Sequence, residues 1–134
     1  MQIYERSYNP DFPATSNNLR YNWKWTDIDE FWKKYGPESN MEVWSQIGSM
    51  GNFFKGIGVL YQKGLIDKMY IYELQWIPLE TWWEKMGSIV LDYRNRSGKH
   101  NYFEFVDYLY DEMKGLDNQR KELGKVGEGN ISKL

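Results

Sequence analysis

The residues best suited to chemistry gather in one turn, RNRSGKHN at 94–101. Arg94, Arg96, Lys99 and His100 bring three formal positive charges and the chain's single imidazole within seven residues. The turn leads into a helix predicted from about Tyr102, and the unpaired amides and dipole at a helix start favour an anion. Tyr93, Tyr102 and Phe103 flank it and offer ring faces on which a planar group stacks. A phosphate-bearing ligand or single-stranded nucleic acid would use that combination. A plainer reading stands beside it: Arg94 pairs with an acidic side chain of a neighbouring helix, while the other cations solvate a loop and complement the preceding helix C-terminus. Three positive charges supply few counterion-release contacts, so nucleic acid is the weaker expectation.

Other constellations are poor. The chain has no cysteine and only His100 as histidine, so a nucleophile with a histidine base would have to use a residue in a polar turn. No Glu-x-x-His pair is present for a carboxylate-bridged metal pair. Glu80 and Glu84 share a helix face, as do Asp107, Asp111 and Glu112, but such charges ordinarily form solvated faces with lysines such as Lys85 and Lys114. The expectation is a protein without metal, cofactor or enzymatic activity. Gly56-Ile57-Gly58 is not a dinucleotide fingerprint, since no strand precedes it and the third glycine is misplaced.

The elements that would position these residues are read as helices. The central one spans 38–64, capped by Ser39 or Asn40 and stopped by Gly64. At about 100° per residue its apolar residues Val43, Ile47, Met50, Phe53, Phe54, Ile57, Leu60 and Tyr61 share one arc. Gly51 and Gly58 lie at the edge of that arc, where a missing side chain admits a neighbouring helix. Packing within the chain is the first expectation there, and a symmetric contact with a second chain the alternative. A short helix is expected at 26–35, opened by Thr26 and closed by Gly36-Pro37. Helices are also expected at 68–76, where a short strand through 69–72 competes, at 78–95 with Pro78 in its first turn, and at 102–114, ended by Gly115.

The termini read differently. Residues 1–25 combine Pro10, Pro13 and a polar run with Tyr4, Tyr8, Phe12, Tyr21, Trp23 and Trp25, which suggests an extended aromatic arm lying on its own domain or on a partner. Residues 116–134 are polar and glycine-spotted and read as a flexible tail. The result is an all-α, single-domain bundle of about five helices occupying 26–115.

Composition narrows the function. Seven Trp, eleven Tyr and six Phe among 134 residues demand a core of large rings and leave some at the surface. The net charge of −2 gives no global attraction to nucleic acid or an anionic membrane. No cysteine, no basic-apolar leader and no long apolar run make a cytoplasmic protein without a membrane span the expectation.

The run FFKGIGVLYQKGLID at 53–67, followed by Trp83, Arg94 and FEFVDYLYDEM at 103–113, resembles a family of uncharacterised prokaryotic helical domains of unknown function. The resemblance covers roughly 31–114 and implies an all-α fold but no activity. Members of that family often carry an N-terminal membrane helix, where this chain has the aromatic arm. The function expected is therefore a non-enzymatic interaction domain, self-associating or bound to a protein partner, with a dimer as the first expectation. Trp23, Trp25, Trp82, Trp83, Gly51 and Gly58 are its expected interface residues, and ligand binding through residues 94–102 is the alternative.

Overall fold

The computed structural model describes the backbone of residues 11–132 and the side chains of 11–124. Tyr4, Tyr8 and Pro10 of the expected arm lie outside the described residues. Among those described, the chain forms five α-helices and no strand: α1 (Phe12–Asn17), α2 (Ile28–Tyr35), α3 (Met41–Gln62), α4 (Lys68–Ser97) and α5 (Glu104–Ser132). A π-helical turn, Asn18–Asn22, continues α1. The all-α class is as the periodicity implied.

Local chemistry places most helix ends. The Asp27 side chain accepts from the Glu30 amide at 2.8 Å to open α2, and the Thr26 amide and hydroxyl donate to the Glu30 carboxylate, so the N-cap sits one residue later than expected. Asn40 opens α3 by accepting from the Val43 amide at 3.2 Å. Beyond α3, Gly64 takes the left-handed conformation at φ 73°, and Gly98 does so after α4 at φ 75°.

Three expectations about the chain path are corrected. Residues 12–22 are helical rather than extended: Asp11 accepts from the Ala14 amide at 3.0 Å, and Pro13 sits in the first turn, where its missing N–H costs nothing. This segment packs on its own domain, burying Leu19 completely and donating from Arg20 to the Thr81 hydroxyl at 2.6 and 2.9 Å. The second correction is that 68–76 and 78–95 form one helix, with Pro78 inside it. The donor that Pro78 lacks would have served the Leu74 carbonyl, and Leu74 is exposed to solvent. Third, α5 does not end at Gly115. Beyond that residue Asp117 is buried, accepting from Tyr72 at 2.7 Å and pairing with Lys121 at 3.0 Å, so tertiary contacts carry the helix past a glycine.

The long helices α3, α4 and α5 pack together, while α1 and α2 lie across α3 and α4. Trp82 is the centre of the core. It is fully buried, and its indole N–H donates to the Ile47 carbonyl at 3.0 Å. Burying such a ring contributes on the order of 5 kcal/mol of transfer free energy. Around it lie Met50, Phe54, Met86, Phe103 and Val106.

Candidate functional site

The basic turn is taken apart by the fold. Arg94 turns inward with its side chain 11% exposed, donating from Nε to the Tyr102 carbonyl at 2.6 Å and from its two terminal nitrogens to Asp107 at 3.1 and 3.4 Å. It ties the end of α4 to the start of α5, the pairing role anticipated for it. Arg96 faces another way, bonded to Asp92 at 3.2 Å and stacked over the Trp32 ring at 5.2 Å. The Trp32 indole N–H donates to the same Asp92 oxygen at 3.0 Å, so this carboxylate already serves two donors. Lys99 and His100 are exposed on the connecting turn. At the start of α5, Glu104 and Asp107 already place negative charge in the first turn, where a bound anion would have to sit.

Arg96 does line an open groove of about 400 Å³ with Trp32, Tyr93, Glu38 and Ser39. Arg94, Lys99 and His100 do not line this groove. The acidic side chains behave as solvated faces do: Glu80 pairs with Lys114 at 3.8 Å, and Glu84 accepts from Tyr110 at 3.2 Å.

The expected interface residues are buried or half-buried within their own chain. Trp82 is core. Gly51 is buried against Trp82 and Phe103, and Gly58 against the backbone of Phe105, so both glycines admit helices of their own chain rather than a second copy. Their service is close approach, as the first expectation held. Trp25 packs on Phe31 at 4.8 Å and on Tyr35 at 6.0 Å, Trp23 on Tyr35 at 6.3 Å, and Trp83 on Tyr110 at 6.2 Å. These three are half-buried.

Large apolar side chains are exposed on the α3/α4 hairpin, and Tyr21, Tyr108 and Leu123 are exposed elsewhere. On α4, Tyr70, Leu74 and Ile77 are 62, 56 and 56% exposed, and their i, i+4, i+7 spacing puts them on one stripe. On α3, Phe53 and Leu60, seven residues apart, are 38 and 41% exposed. The two stripes meet where Phe53 and Ile77 line a groove of about 390 Å³ beside Phe12 of α1. Sequence reasoning placed Phe53 and Leu60 in the buried arc and missed Tyr70, Leu74 and Ile77. Their spacing is visible in the sequence once Pro78 is allowed inside the helix.

Among the described residues no helix is long and apolar enough to cross a membrane, and no group of three or more His, Asp or Glu side chains is placed to hold a metal ion. Comparison with protein-family models, curated proteins and solved structures finds no match to this chain.

Proposed function

We propose that this chain is a non-enzymatic helical association module that pairs with a second copy of itself through the outer face of the α3/α4 hairpin. The observation that carries this reading is the stripe of Tyr70, Leu74 and Ile77, each more than half exposed and aligned along one helix. Phe53 and Leu60 widen it on the neighbouring helix. Contiguous apolar surface of this kind marks association sites more often than isolated exposed leucines do. Two such faces packed across a two-fold axis would bury each other's stripes, since a symmetric contact sets the same patch against itself. A cysteine-free chain suits a reducing cytoplasmic setting for such a module.

Sedimentation of the purified chain tests the proposal. The wild type is expected to sediment as a dimer and Leu74→Glu as a monomer with unchanged helical circular dichroism. A wild type that stays monomeric at every concentration would overturn it.

A second reading rests on Arg96. Its guanidinium over Trp32, beside Tyr93 in an open groove, is an arrangement that a planar anion or a nucleotide base with its phosphate could use. Binding there would weaken with added salt and with Arg96→Gln. An absence of nucleotide binding at low salt would dismiss it.

A further inference from the structure

Between α3, α4 and the connection leading to α5 lies a cavity of about 190 Å³. Five aromatic rings wall it: Trp44, Trp82, Tyr93, Tyr102 and Phe103. They brace one another, with Tyr93 and Tyr102 centred 4.5 Å apart and Phe103 meeting Trp82 edge to face at 5.4 Å.

Two residues of the wall have an unusual backbone or side-chain choice. Gly48 stands in the row Trp44, Gly48, Asn52 along α3, and a β-carbon built there meets no atom within 4 Å. Gly51 and Gly58 are demanded by neighbours, whereas Gly48 weakens the helix and leaves only an opening onto the cavity. Phe103 is the one non-glycine residue of positive φ among the described residues, at 56°, a strained conformation for an aromatic side chain. The strained residue sets its ring in the cavity wall.

The wall also carries polar heads. Asn52, Tyr93 and Tyr102, each with a polar side-chain group, are among the residues that line the cavity. Burial, with Tyr93 beside it, pushes the Tyr102 phenol up to about 12, so its hydroxyl keeps a proton to donate. A concave, mainly apolar space with a few polar residues on its wall is the usual form of a small-molecule site, and this one opens to solvent.

We propose that this cavity binds one small aromatic molecule of one or two fused rings bearing a hydrogen-bonding group, such as an indole or a phenol. Size sets the class: an apolar cavity of about 150 Å³ accepts benzene, and this one is somewhat larger. The proposal is independent of self-association, since the cavity and the Tyr70/Leu74/Ile77 stripe share no residue.

The test is a nuclear magnetic resonance titration of the isotope-labelled full chain with indole. Saturable shifts are expected at the Trp82 and Trp44 side-chain N–H signals and at the Gly48 amide. Gly48→Leu places an apolar side chain at the opening, where a β-carbon meets no atom within 4 Å, and should weaken binding by about tenfold or more, while Gly56→Ala, at an exposed and equally uncrowded glycine, should leave it within about twofold. Circular dichroism confirms that each variant is folded, and Gly48→Ala, adding one carbon, stands in if Gly48→Leu is not. Shifts that stay unsaturated up to millimolar indole, that fall outside the cavity wall, or that persist unchanged in the folded Gly48 variant would each overturn the proposal.

Discussion

Gly51 of α3 and Trp82 of α4 compete for one space. A β-carbon at residue 51 would lie 2.5 Å from Trp82 Cζ2 and 3.1 Å from Phe103 Cζ. Moving the ring aside would break the bond from its N–H to the Ile47 carbonyl. Gly51→Ala should therefore lower the unfolding free energy by about 1–3 kcal/mol, although alanine is the better helix former. Gly56→Ala, whose added carbon meets nothing, should raise it by up to about 1 kcal/mol. Urea midpoints of the two variants decide the matter: shifts of the same sign would mean that the contact between α3 and α4 does not depend on Gly51.

Arg94 joins α4 to α5 through a carbonyl and a carboxylate at once. Lysine keeps the charge but lacks the fork, so Arg94→Lys should cost about 1–3 kcal/mol. Asp107→Asn should cost a comparable amount, and the double variant less than the sum, with a coupling above about 0.5 kcal/mol. Strict additivity in denaturant unfolding would deny that the two side chains act as a pair.

Three tyrosines make the fold sensitive to alkali. Burial is the largest cause that pushes the phenols of Tyr61, Tyr102 and Tyr110 up to about 12, joined by Glu112 at Tyr61, Tyr93 at Tyr102 and Glu84 at Tyr110. In an unfolded chain a phenol titrates near about 10. Between those values the unfolded state gives up protons that the folded state keeps, so stability is full below about pH 10 and falls as pH rises towards about 12. Phenolate absorbance should show a late step carried by these three residues, coincident with loss of helical circular dichroism. Complete ionisation near pH 10 with the helices intact would contradict the burial of these rings.

Pro78 denies the Leu74 carbonyl its helical donor in the middle of α4. Its ring lines the groove beside Phe12 and Phe53, which offsets only part of that loss. Pro78→Ala should raise the thermal midpoint, by an amount corresponding to about 1–3 kcal/mol. A lower midpoint would show that the packing of the ring against α1 outweighs the missing bond.

Features governed by near neighbours were legible in the sequence. Asn40 and Gly64 mark helix ends because a cap or a left-handed turn is decided within a few residues. Pro13, Pro78 and Gly115 misled for the same reason. Pro13 costs nothing because it lies at a helix start, and past Gly115 contacts made far along the chain outweigh the local cost of a glycine. Arg94 was read as a possible ligand and also as an ion-pair partner. Choosing between the two required knowing that Asp107 lies within reach.

By itself the sequence determined the all-α class, the stop at Gly64, the close-packing glycines and a core of large rings. Tertiary structure alone decided that Gly51 and Gly58 receive helices of their own chain and that Trp82 is core. It also decided that Tyr70, Leu74 and Ile77 face outward and that a ring-lined cavity opens beside Gly48. The reason is physical: periodicity states that a helix face is apolar, whereas burial requires a second surface to meet it.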